Sequence, residues 1–186
     1  MAILEILKLP DLRLKEASQE VVHFDDELRA FIADLEDTRL DGPAAVGIAA
    51  PQVGRFQRIV IMDCSTTRKP VPNHGYLVLI NPRIVQWDGF EAGREGCLSV
   101  PHHTGEVIRA SKIRIEASDP HGKPLAFDME GYEARVAQHE IDHLDGMLFV
   151  DRVVSRHTDL FKRKVYKKHG EDILTDAAAA RESKVA

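Results

Sequence analysis

Apolar residues recur along this chain in two rhythms. Leu28, Phe31, Ile32 and Leu35 follow one another at i, i+3, i+4 and i+7, the stripe of an amphipathic helix. Asp25 is placed to cap that helix, Asp26 and Glu27 fall in its first turn, and Asp41-Gly42-Pro43 predicts its end. The rhythm then shortens. Gln57–Met62, Tyr76–Asn81 and Ile84–Trp87 predict strands, with a polar loop around Ser65–Gly75. Lys112–Ala117 alternates polar and apolar as a half-buried strand does, and Asp119-Pro120-His121-Gly122 predicts a turn into another strand. Gly131 opens a second helix, with Val136, Ala137 and Leu144 as its apolar positions and Gly146 placed to end it. The small-residue stretch Pro43–Gly54 predicts a loop that passes close to another part of the molecule. Strands clustered between helices, without βαβ alternation, predict an α+β fold.

Composition narrows this picture. A chain of 186 residues with 44% hydrophobic residues is one domain, or one domain with a tail, and can build an ordinary core. A net charge of −5 gives no bulk reason to expect nucleic-acid binding. Two cysteines, Cys64 and Cys97, cannot form a disulfide framework. Met1–Leu9 already carries Glu5 and Lys8 and does not read as a secretory signal, and no apolar run approaches the ~20 residues of a membrane span, so a cytoplasmic protein is expected. Between Arg152 and Lys168 the chain turns basic, with Arg156, Lys162, Arg163, Lys164, Lys167 and Lys168 around Leu160, Phe161, Val165 and Tyr166. This predicts a solvated amphipathic helix, followed by a frayed tail at Ala177–Ala186.

The candidate chemistry sits in two places. Residues 138–146 read Gln-His-Glu-Ile-Asp-His-Leu-Asp-Gly, so on a helix His139 and His143 lie one above the other and can share a metal ion. Glu140 follows the first histidine, beside the metal face without being a ligand, where it can take a proton from a metal-bound water. A catalytic site needs a third protein ligand and an open position. Cys97, in the glycine-containing stretch Glu95-Gly96-Cys97-Leu98-Ser99, is the best candidate.

A third motif, Gly47-Ile48-Ala49-Ala50-Pro51-Gln52, stands upstream, and the three together resemble the peptide deformylase family from about Ile3 to Lys168. The resemblance implies antiparallel β-sheets packed around a central helix carrying the metal motif, with N-terminal and C-terminal helices. It assigns a catalytic domain to 1–170 and a flexible tail to 171–186. The implied activity is removal of the N-formyl group from the initiator methionine of new polypeptides, releasing formate. Metal-bound hydroxide would attack, with Glu140 as general base and acid, and the Gln52 amide and Leu98 backbone N–H would stabilise the oxyanion. Cys97, His139 and His143 would hold the metal. Gly47 would let the substrate backbone approach, and Val46, Tyr132 and Val136 would wall a methionine pocket. The resemblance favours iron(II), while thiolate and imidazole ligands also suit zinc or another divalent ion. A nascent-chain substrate makes the basic 152–168 segment a candidate ribosome contact. Three positions depart from the pattern: Ala45 replaces its first glycine, His102 stands where glycine is frequent, and Thr104 where some members carry arginine. They bear on substrate preference rather than on the metal.

Two other readings share these residues. A zinc endopeptidase also uses His-Glu-x-x-His, but the third histidine of its extended form would fall at Phe149. A non-catalytic, metal-stabilised module that docks on ribosomes would not require Glu140.

Overall fold

The buried alternation of five strands decides where the site can be. The computed structural model describes residues 2–43, 45–168 and 171–175. In it β1 (Gly47–Ala49), β2 (Ile59–Asp63), β3 (Tyr76–Asp88), β6 (Lys112–Ser118) and β7 (Pro124–Glu130) form one sheet in the order β1-β2-β3-β6-β7, antiparallel at every pairing. Successive side chains of a strand point to opposite faces. Ile59 and Ile61 therefore join one buried cluster with Leu28, Ile32 and Leu35, while Val60 and Met62 join another with Val136, Ala137 and Leu144. The first three of those partners belong to α1 (Asp26–Asp41) and the second three to α2 (Gly131–Leu144). Burial on both faces explains why β2 reads as an unbroken apolar run rather than an alternating one.

Both helices begin where the sequence predicts. The Asp25 carboxylate accepts from the Leu28 N–H at 2.9 Å, and Gly131 opens α2. At the far end of α2, Gly146 has φ +69°, and a Cβ there would lie 2.4 Å from the Lys15 carbonyl oxygen. Glycine thus permits both the left-handed turn and the close passage of the N-terminal segment. Of α2, the residues Glu133–Leu144 are buried apart from a partly exposed Gln138, including five that are polar at the core of the site described below. A helix enclosed on all sides must satisfy such groups internally.

A second sheet covers the other side of α2. It consists of β4 (Glu91–Cys97), β5 (Val100–Arg109) and β8 (Leu160–Lys162), in the order β4-β5-β8. The β4–β5 hairpin has no sequence signal comparable to the apolar runs, because Glu91–Cys97 is glycine-rich and charged. Pairing with β5 holds it, and Cys97 ends β4 opposite Val100.

Three predicted elements are corrected. Pro43–Gly54 is not all loop: Gly47–Ala49 forms β1 on the edge of β2, and Ala50–Val53 makes a 3₁₀ turn. The two strands expected at 76–81 and 84–87 are one, β3, bulged between Ile80 and Arg83. The basic segment is not a helix. Leu160–Lys162 pairs with β5, and β9 (Lys164–Lys168) pairs with β10 (Glu171–Thr175) in a two-stranded ribbon. Like charges four apart, Arg163 with Lys167 and Lys164 with Lys168, disfavour a helix there, whereas the free edge of β5 offers hydrogen bonds to an extended chain. No C-terminal helix occurs among the described residues. The tail expected at Ala177–Ala186 lies outside them. Among the described residues no helix is long and apolar enough to cross a membrane.

Candidate metal centre

Strand β4 and helix α2 meet at three donors. Cys97 Sγ, at the end of β4, and the ring nitrogens of His139 and His143, one turn apart on α2, all lie within 4.8 Å of one another. Among the described residues this is the single such group, and all three side chains are buried. Cys97 Sγ is 3.3 Å from His143 Nε2. One thiolate and two imidazoles form the donor set of a divalent transition-metal site, and three protein ligands leave a fourth position open.

The cavity beside these donors, about 280 Å³, is lined by nearly every residue that the sequence singles out: Val46, Gly47, Gln52, Cys97, Leu98, Val136, His139 and Glu140. Tyr132 lines it too, while His143 lies deeper. Gln52 is 1% exposed, and its amide is oriented from both ends. Its Oε1 accepts from the Ala49 N–H at 2.9 Å, which turns Nε2 toward Ser99 Oγ at 3.1 Å and Cys97 Sγ at 3.4 Å. The NH₂ group therefore faces the metal site.

Glu140 is only 5% exposed, and its Oε2 has no hydrogen-bond partner. Burial pushes its carboxyl up to about 7. Gly47 has a part the sequence does not suggest. A Cβ on Gly47 would lie 2.5 Å from Glu140 Oε1 and 2.8 Å from its carboxyl carbon. The missing side chain makes room for the glutamate.

The residues that sequence reasoning passed over lie behind the histidine. His139 Nδ1 meets Glu95 Oε2 at 2.8 Å, which fixes the ring and turns its other nitrogen toward the donors. Glu95 also accepts two bonds of 2.9 Å from Arg109 and one of 3.0 Å from Arg135 Nη1. Burial would raise its carboxyl, but the hydrogen bonds from Arg109 and His139 outweigh that and hold it at about 2. Arg109 bonds onward to Asp142, which receives Arg152 Nη2 at 2.6 Å. The available signal was the position of Glu95 in the Glu-Gly-Cys motif, two residues before a ligand. Nothing in the sequence marks Arg109 or Arg135.

Of the positions that depart from the family pattern, one lines this cavity and two lie outside its lining. Ala45 lines it, His102 is exposed, and Thr104 is buried and receives Arg94 Nη1 at 3.1 Å. Phe149, which occupies the place of an endopeptidase's third histidine, is buried and stacks on His139 with ring centroids 6.3 Å apart.

The sequence matches the model of the polypeptide deformylase family over residues 3–159. The chain belongs to the polypeptide deformylase family. The family's chemistry is metal-dependent hydrolysis of N-formyl groups. A peptide deformylase of Alkalilimnicola ehrlichii is 44% identical over 90% of this chain and 91% of its own length. A solved deformylase structure from Legionella pneumophila is 42% identical with TM-score 0.75, covering 82% of this chain and 86% of that one. A class I type b deformylase from Acinetobacter baumannii, solved with Met-Ala-Ser bound, gives TM-score 0.76 at 32% identity over 82% of this chain and 99% of that one.

Proposed function

We propose that this deformylase holds its metal with Cys97, His139 and His143 and uses Glu140 as the proton carrier for formyl-Met peptides. One observation carries the reading: a buried glutamate with an unpartnered oxygen stands beside a three-donor cluster that leaves one position open. A metal-stabilised structural module has no use for that carboxylate, whose burial without a partner is costly. The endopeptidase reading is disfavoured because Cys97 already completes the donor set.

A divalent ion in this site would acidify water toward neutral pH and polarise the formyl oxygen. The protein's own groups supply the rest. Glu140 Oε2 takes a proton from the attacking water and passes it to the nitrogen of the leaving amine. Gln52 Nε2 and the Leu98 backbone N–H donate to the developing oxyanion. Val46 and Val136 border the cavity with apolar surface suited to a thioether side chain, and the Met-Ala-Ser bound to the Acinetobacter relative is the kind of product such a site would release. We assign the ion as iron(II), on the thiolate–imidazole donor set and the family resemblance. We propose a cytoplasmic location on the ground of a nascent-chain substrate.

The test is a peptide panel. Formate release from formyl-Met peptides is expected to be faster than acetate release from acetyl-Met peptides and faster than deformylation of formyl-Asp peptides. Comparable rates on all three, or cleavage of an internal peptide bond, would refute the assignment.

Ribosome contact through residues 152–168 rests on their charge, now carried on extended strands rather than a helix face. Replacing Lys162, Lys167 and Lys168 by Glu is expected to abolish co-sedimentation with ribosomes at low salt, because phosphate contacts release counterions. Equal binding by the variant and the parent protein would remove this segment from the interaction.

A further inference from the structure

The metal cavity does not end at its mouth. A second hollow of about 810 Å³ shares Ala45, Val46 and Tyr132 with it, so the two adjoin along this wall and are taken together as a groove. The groove's charges are one-sided. Its only lining carboxylates among the described residues are Glu95 and Glu140, both buried, and Glu95 is committed to Arg109, Arg135 and His139. Exposed Arg68 and Lys69 line one end, and Arg94 and Arg163 the other. On a chain of net charge −5, this concentration of cations is local.

Arg163 is delivered there by the strand pairing that replaces the expected helix. Its N–H bonds the His102 carbonyl at 2.9 Å, which extends the β5–β8 pairing by one residue. The guanidinium lies over Gly96, where a Cβ would sit 2.1 Å from Nη2. It forms no ion pair with any described residue. Arg94 beside it is held over the Phe161 ring at 3.5 Å, without a carboxylate partner among the described residues. A guanidinium presents a rigid fork of donors matched to a carboxylate.

We propose that this groove selects nascent peptides bearing an acidic residue shortly after formyl-methionine, with Arg163 as the residue that receives the side-chain carboxylate. The inference rests on the deformylase reading and adds a substrate class to it. Formyl-methionine itself occupies the apolar part beside the metal, so the acidic preference applies to the following residues and not to the first.

The experiment measures kcat/KM of the metal-loaded enzyme on C-terminally amidated formyl-Met-Ala-Ser, formyl-Met-Ala-Asp and formyl-Met-Ala-Lys, and on the same series with the charge one residue later. The acidic peptide is expected to exceed the neutral one by about three- to tenfold in at least one register, through KM, with the lysine peptide poorest and the spread shrinking in high salt. Arg163→Ala is expected to bring the acidic-to-neutral ratio toward unity, Arg163→Lys to restore part of it, and Arg163→Glu to invert the order. Equal rates on the three peptides in both registers, a preference for lysine, or an undiminished ratio in Arg163→Ala would overturn the proposal. The ratio and its salt dependence in the unmodified protein decide the matter even if a variant fails to fold. Absence of formate from the neutral peptide would refute the parent reading instead, and the proposal with it.

Discussion

Replacing Glu140 by alanine is expected to lower kcat by about 10²–10⁴-fold while the protein keeps its metal. The two effects separate because the variant retains Cys97, His139 and His143, which are the whole donor cluster. What it loses is the acceptor of the water proton and the donor to the leaving amine. KM is expected to change little, since an interaction confined to the transition state appears in kcat and kcat/KM together. Truncation also opens space in front of Gly47, whose missing Cβ accommodates the glutamate. Near-normal formate release by a folded, metal-loaded variant would mean that Glu140 has no part in catalysis.

The second large effect is expected away from the reacting atoms. Glu95→Gln leaves Arg109 and Arg135 facing a neutral amide in a buried site, with Glu95 itself only 6% exposed. Removing one partner of such a network typically costs about 3–5 kcal/mol, because the remaining charge stays buried. For a chain of this length that is a fall in Tm of roughly 6–20 °C. The same variant loses the carboxylate that orients His139, and outer-sphere losses of that kind typically weaken metal affinity by about 10–100-fold. Thermal unfolding of metal-free and metal-loaded protein distinguishes the two consequences. A variant with unchanged Tm in both states would show that Glu95 neither balances the arginines nor steadies the histidine.

What the sequence could reveal followed the range of the contacts. His139, Glu140 and His143 lie within five residues on one helix, so helical spacing alone placed them on a common site. Cys97 is 46 positions from His143, and only its motif pointed there. The network behind the site joins positions 14, 33 and 40 residues apart: the first pair meets across the β4–β5 hairpin, the other two only once that hairpin folds over α2. Arginines and acids in those strands look like ordinary surface charge until that packing exists. Strand Ile59–Asp63 was legible because burial on both faces leaves an uninterrupted apolar run. The basic segment was misread for the opposite reason: Leu160–Lys162 takes its conformation from the edge of β5, more than fifty residues away. The same misreading hid Arg163, which the periodicity placed on a solvated helix and the fold places at the cavity mouth.

The most direct test of the account is a titration. Metal-free protein, prepared anaerobically, is given increasing iron(II), and initial formate release from formyl-Met-Ala-Ser is followed at each step. No formate is expected without metal, then a linear rise, and a break at one ion per chain that His143→Ala abolishes. Full activity in the metal-free protein, or an undiminished break in the His143 variant, would contradict it.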